Sequence, residues 1–225
     1  MGEKNMFEIP AEFKSKAWID NEAYLKMYKE SVDDPKGFWN KHAERVDWFK
    51  KWDNTLDWDY NKGHIRWYEG GKLNVSYNCL DRHLEKKSDQ IALIWESDDP
   101  TVDKTFTFKE LHFEVSRFAN VMKDLRIKKG DRVMIYMPMI PELAIACLAC
   151  TRIGAVHSVV FGGFSAEALK NRILDCEGKM LITANAGIRG GKNIPLKQNA
   201  DLAMEGTSTE TCIVVKHTDD DCKMK

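Results

Sequence analysis

The chain has little of the material that marks several large protein classes. Proline and glycine together supply 20 of 225 residues, too few for collagen-like or linker-like sequence. No charge sign dominates: 34 basic residues face 35 acidic ones, a net of −1, so nothing pulls the whole molecule toward nucleic acid or an anionic membrane. Long apolar runs are missing as well. The longest, Val133 to Ala149, is broken by Tyr136, Pro138, Pro141 and Glu142, and no segment reads as bilayer-spanning. The start, Met1–Met6, lacks an apolar core, so no signal peptide is expected, and Met6 breaks the myristoylation pattern behind Gly2. Six cysteines are irregularly spaced, which fits reduced thiols in a cytoplasmic protein and no disulfide framework. Neither a G-x-S-x-G elbow nor a G-x-x-x-x-G-K-[ST] loop occurs, and His42, His64 and His83 lack metal-ligand spacing.

What is present falls into two regions. Sixteen of the 23 aromatic residues lie in residues 1–95, nine of them between Phe38 and Tyr68. Trp39, Trp48, Phe49, Trp52, Trp58 and Trp67 read as anchors on short helices and irregular chain, docking onto the rest of the same protein. A base-stacking platform would need interleaved positive charge. Residues 1–62 instead hold 11 basic and 13 acidic side chains. Residues 1–90 are therefore expected to form an aromatic-rich extension packed on an α/β part spanning 91–225.

The second region alternates strands and helices. Strands are expected at 91–95, 132–137, 155–160, 180–183 and 211–215. Thr107 and Glu110 form a capping box, with Phe106 and Leu111 as its hydrophobic staple, ahead of a helix whose apolar face runs through Phe108, Leu111, Val115, Phe118, Met122 and Leu125. Pro141 opens the next helix and Gly154 closes it; Ser165 caps another. Near-continuous apolar strands separated by helices predict a doubly wound, mostly parallel α/β sheet with right-handed crossovers.

Ligands of open α/β sheets bind outside the carboxyl ends of the strands, and two loops there have unusual composition. Phe161-Gly162-Gly163-Phe164 lets the backbone approach a ligand ahead of a helix N-terminus; alternatively it is only a tight turn. Gly187-Ile-Arg189-Gly190-Gly191-Lys192-Asn193 sets two cations around flexible backbone. Arginine can fork onto phosphate oxygens and lysine can act as a point charge; a solvated basic loop is the plainer reading. Residues 151–200 carry seven basic and three acidic residues, a local net of +4. Cys147 and Cys150 have redox spacing but sit inside an Ala/Leu-rich helix face, where two buried thiols are expected. His157 reads as a core or sheet-edge residue.

Three strings resemble one family: Trp48-Phe-Lys-Lys-Trp-Asp53, Leu73-Asn-Val-Ser-Tyr-Asn-Cys-Leu-Asp-Arg-His-Leu84, and Arg152-Ile-Gly-Ala-Val-His-Ser-Val-Val-Phe-Gly-Gly-Phe-Ser165. They are similar to the N-terminal portion of the AMP-forming acetyl-CoA synthetases, members of the adenylate-forming superfamily. That resemblance implies an incomplete part of a large N-terminal domain. It also implies a reaction in which acetate and ATP give acetyl-AMP and pyrophosphate before coenzyme A attacks. Arg189-Gly190-Gly191-Lys192 matches the family loop holding the nucleotide end of coenzyme A, with Lys192 where some relatives carry Arg. Phe161-Gly162-Gly163 resembles the segment along the coenzyme A path. The phosphate loop, the Mg2+ ligands, the acetate pocket and the adenylating lysine lie beyond Lys225 in the family. The chain alone is therefore expected to be inactive, its partners being acetate, ATP, coenzyme A and the remaining polypeptide. A propionate or other short-chain ligase, and a non-catalytic coenzyme A-binding module, stay open as alternatives.

Overall fold

A computed structural model describes residues 7–224; Met1–Met6, on which the leader and acylation readings rest, and Lys225 lie outside the described residues. The chain divides into two compact units, Met1–Lys72 and Leu73–Lys225.

In the first unit α1 (Ala11–Lys16), α2 (Asn21–Asp33) and α3 (Pro35–Ala43) precede an antiparallel hairpin of β1 (Asn54–Asp59) and β2 (His64–Glu69). Asp20 caps α2 by accepting from the Ala23 amide, and Asp34 caps α3 by accepting from Gly37, with Pro35 in the first turn. The hairpin corrects the expectation of helices and irregular chain only. Its strands, Asn54-Thr-Leu-Asp-Trp-Asp59 and His64-Ile-Arg-Trp-Tyr-Glu69, mix charge with aromatics and hide the apolar alternation. Gly63, at φ 60°, closes the turn. Part of the aromatic set packs on itself. The Trp48 and Trp52 ring centroids are 4.8 Å apart, and each lies 5.3 Å from Tyr68. Trp52 Nε1 donates to Asn40 Oδ1 (3.0 Å) and Thr55 Oγ1 (2.8 Å), and Tyr68 donates to the Trp39 carbonyl (3.0 Å). Each of these half-buried rings thus finds an acceptor for its polar tip within the unit.

The second unit begins with α4 (Val75–Cys79) and α5 (Leu84–Lys87). Residues 73–90 join this unit, ahead of the compositional border at residue 90, because polar contacts pin them to it. Asn74 Nδ2 donates to the Thr151 carbonyl (2.9 Å), and Arg152 forks onto Asp81 at 2.7 and 2.8 Å. The two longest strings carrying the family resemblance therefore meet in one clamp.

β3 (Ile91–Glu96) pairs antiparallel with β4 (Asp103–Thr107), outside the main sheet. The apolar run at 91–95 is a strand, as expected, but its partner is the neighbouring hairpin arm: a turn at Ser97–Val102 folds the chain back before any helix intervenes. α6 (Phe108–Asp124) starts at the expected capping box: Thr107 N donates to Glu110 Oε2 (2.8 Å), and Glu110 N donates to Thr107 Oγ1 (3.2 Å). Its face buries Leu111, Val115, Ala119 and Met122. Val115 and Met122 are fully buried, each contributing about 1.5–3 kcal/mol.

Then come β5 (Arg132–Met137), α7 (Pro141–Ile153), β6 (Val156–Phe161), α8 (Ala166–Cys176), β7 (Met180–Ala184), β8 (Gly187–Arg189), β9 (Lys192–Ile194), α9 (Leu196–Met204) and β10 (Thr211–Val215). The main sheet is parallel and runs β10-β7-β5-β6. The chain leaves β5 toward β6, then crosses back past β5 to β7. The two crossovers run in opposite directions along the sheet; with the right-handedness that parallel connections follow, they place α7 and α8 on opposite faces, the doubly wound arrangement. α6 packs with α7, and α8 with α9. Between these layers β5 and β7 are buried along nearly their whole length, which explains their continuous Val/Met/Ile/Leu content. His157 lies on the edge strand β6.

Candidate functional site

The reversal of strand order at β5 makes the carboxyl ends of β5 and β7 the switch point, where such sheets open a crevice. A cavity of about 270 Å³ lies there. Its lining includes Pro138 and Met139 after β5, Gly162 and Gly163 after β6, Arg189 after β7, and His217 after β10. Both glycine-bearing loops singled out in the sequence border it.

The Gly187–Asn193 stretch is not an open loop. It forms the β8–β9 hairpin, in which Arg189 stands opposite Lys192. Gly190 (φ 56°) and Gly191 (φ 72°) fill the two-residue turn, and positive φ at both positions is what a type I′ turn requires. The Gly-Gly pair between alternating residues was a hairpin signal in the sequence. The two cations are cross-strand neighbours, a like-charge pairing that is unfavourable by itself. No carboxylate among the described residues forms an ion pair with either. The arrangement becomes favourable when an anion sits between or above them.

The second loop supplies a surface for this pair. The Arg189 guanidinium carbon lies 5.5 Å from the centre of the Phe161 ring, within cation–π range. The Phe161 and Phe164 rings meet edge to face at 6.2 Å, and Arg172 stacks on Phe164 at 4.8 Å. The glycines permit this closeness. A Cβ on Gly163 would stand 2.6 Å from Phe161 Cε1 and 3.4 Å from an Arg189 guanidinium nitrogen, and one on Gly162 would stand 3.3 Å from the Met137 carbonyl oxygen.

Residues that drew no notice in the sequence hold the loops in place. Tyr136, fully buried in β5, turns its hydroxyl to the carbonyls of Phe164 (2.7 Å) and Gly162 (3.2 Å) and accepts from Asn199 Nδ2 (3.2 Å). Burial pushes its phenol pKa upward, and the Asn199 bond works against that. A tyrosine inside an aliphatic central strand was the available signal, since a buried hydroxyl needs partners. Asn185, at the end of β7, accepts from the amides of His217 (2.8 Å) and Thr218 (3.2 Å) and donates to the carbonyls of Thr218 and Asp220 (both 2.9 Å). Asp220 in turn accepts from Asn193 Nδ2 at 2.6 Å. The segment after β10 is thereby tied to the second arm of the hairpin. His217 stands edge to face with Trp95 at 6.2 Å. Its pKa is lowered, first by burial and then by Lys104, with Glu142 opposing.

Other candidates resolve into structure. Burial raises the pKa of Cys147 and pushes that of Cys150 up to about 12, so neither is a ready nucleophile. Among the described residues no group of three His, Cys, Asp or Glu side chains is placed to hold a metal ion, and no helix is long and apolar enough to cross a membrane.

Comparison with known proteins bears on this geometry. A family described as AMP-binding enzyme matches residues 80–224, and one described as Acetyl-coenzyme A synthetase N-terminus matches residues 24–79. The chain is 54% identical over 220 residues to the acetyl-coenzyme A synthetase of Magnetococcus marinus, covering 97% of this chain and 34% of that protein. It is 56% identical to the corresponding protein of Syntrophus aciditrophicus and 57% identical to that of Syntrophobacter fumaroxidans, covering in each case 95% of this chain and 33% of the relative. The chain thus spans only about a third of the length of these curated relatives.

Proposed function

The chain belongs to the AMP-binding enzyme family, and from that membership we propose that it supplies the coenzyme A phosphate contacts and much of the scaffold of an acetate–CoA ligase. In that reaction acetate attacks ATP to give acetyl-AMP and pyrophosphate. The thiol of coenzyme A then attacks the acetyl carbon and expels AMP. The observation that carries the reading is the Arg189–Lys192 pair. Two cations are held opposite each other by a glycine turn at the sheet's switch point, beside a loop whose glycines let Phe161 back the arginine. Phosphate oxygens are the ligand such a pair accommodates best.

Within this proposal Arg189, Gly190, Gly191 and Lys192 contact the phosphates, and Phe161, Gly162 and Gly163 border the coenzyme A path. ATP, acetate and Mg2+ are handled by the remaining polypeptide, so the 225-residue chain by itself turns nothing over. The compositional regions 1–90 and 91–225 are read as an extension and as part of the large domain, with residues 73–90 the stretch of the extension that is built into the second compact unit. The free thiols fit a cytoplasmic setting.

The test uses the complete ligase polypeptide carrying this segment. A partly desolvated charge-assisted contact is worth about 1.5–3 kcal/mol. Arg189→Ala is therefore expected to raise the KM for coenzyme A roughly ten- to a hundredfold. Lys192→Ala is expected to raise it less, lysine being a single flexible point charge. Unchanged KM values in both variants would refute the assignment.

A further inference from the structure

The β8–β9 hairpin has little to hold it up. Each arm is three residues long, the turn is all glycine, and the two residues flanking the turn repel each other. A short isolated hairpin is marginal in water, yet a phosphate clamp works only if its cations are already in place. Something outside the hairpin must fix its tip.

The middle of the second arm is tied by the Asn193–Asp220 bond. The tip has a separate tie: the Gly190 amide donates to Asp98 Oδ2 at 3.1 Å. Asp98 lies 92 residues earlier in the chain, in the loop joining β3 to β4. That loop is itself braced. Ser97 N donates to the Val102 carbonyl and Val102 N to the Asp99 carbonyl, both at 3.0 Å. Asp99 Oδ1 accepts from the Thr101 amide (2.9 Å) and hydroxyl (2.7 Å). Asp98 therefore projects from a formed turn. A carboxylate beside an anion site would by charge alone oppose anion binding, so its presence against the clamp's turn needs a different account.

We propose that Asp98 is a positioning residue for the coenzyme A clamp. Its carboxylate moors the Gly190 amide and so holds Arg189 and Lys192 in register for phosphate. The inference rests on the function proposed above and adds to it a residue that never touches the ligand. The essential property is the hydrogen-bond acceptor and not the charge. Asp98→Ala removes both; Asp98→Asn keeps an acceptor oxygen and removes only the charge.

Two measurements test this. In the complete ligase polypeptide without ligand, Asp98→Ala should speed hydrogen exchange at the Gly190 amide about three- to tenfold, the range a modest hydrogen bond supports. In the complete ligase polypeptide, the same variant should raise the KM for coenzyme A by a similar factor, with kcat within about twofold, and Asp98→Asn should restore most of the loss. If Arg189→Ala raises that KM while Asp98→Ala changes neither KM nor exchange, the positioning role is wrong and the clamp stands. If both Asp98 variants tighten coenzyme A binding, the carboxylate acts only by charge and the inference falls. If neither Arg189→Ala nor Asp98→Ala alters KM, the clamp assignment fails and takes this inference with it.

Discussion

The turn of the β8–β9 hairpin offers the sharpest separation of backbone geometry from packing. Gly191 sits at φ 72° and Gly190 at φ 56°, and a Cβ added to either meets no atom within 4 Å. Replacing Gly191 by Ala therefore adds no clash. It adds only the cost of a left-handed conformation in an L-residue with a Cβ, about 1–2 kcal/mol. Because the hairpin is short and self-repelling, its closed form has little reserve. A loss of this size should cut the closed population about five- to thirtyfold, and apparent affinity falls in proportion to the competent fraction. The KM for coenzyme A in the complete polypeptide should rise about five- to thirtyfold, while Tm moves by no more than about 2 °C, since this exposed turn buries nothing. The control is Gly190→Asn. It leaves the Asn-Gly sequence that type I′ turns favour, and it should stay within about twofold of the parent. Equal losses in Gly191→Ala and Gly190→Asn, or a large fall in Tm without a change in KM, would refute the backbone argument.

Two further outcomes follow from buried polar groups. Tyr136→Phe leaves the Phe164 carbonyl and the Asn199 amide without the hydroxyl they share; unfolding in urea should show a loss of about 1–3 kcal/mol, and an unchanged midpoint would contradict the role given to that hydroxyl. Burial pushes the Asp81 carboxyl up, but the Arg152 hydrogen bonds and charge, joined by His112, outweigh it and hold its pKa below the ordinary 3.8. A lowered folded pKa means that the stabilisation is present above the unfolded value and is lost as pH falls through the folded one. Asp81→Asn should therefore cost about 2 kcal/mol at neutral pH, less than a fully buried pair because 23% of each partner's side chain is exposed. That deficit should shrink below about pH 4. A deficit that does not vary with pH would show that the clamp's charge contributes nothing.

Where local rules and tertiary demand agree, the sequence was legible. The Thr107–Glu110 capping box, Pro141 at a helix start, Gly154 at its end and the strand over 211–215 all occupy the expected places, as does the parallel sheet. Legibility ended where pairing decides structure. The run at 91–95 reads as a strand but says nothing of its partner, and charged residues mask the period of the β1–β2 hairpin. The two glycine loops could be flagged by composition, whereas their supports could not. Tyr136, Asn185 and Asp98 act through contacts with residues 26 to 92 positions away, a separation no local pattern encodes.

The most direct test of the central claim divides the reaction in two. Acetate-dependent exchange of pyrophosphate with ATP reports formation of acetyl-AMP and needs no coenzyme A. With Arg189→Ala in the complete ligase polypeptide, this exchange should continue near the parent rate while the coenzyme A-dependent overall reaction demands roughly ten- to a hundredfold more coenzyme A. Loss of the exchange with an unaltered coenzyme A requirement would place Arg189 at the ATP site and contradict the account.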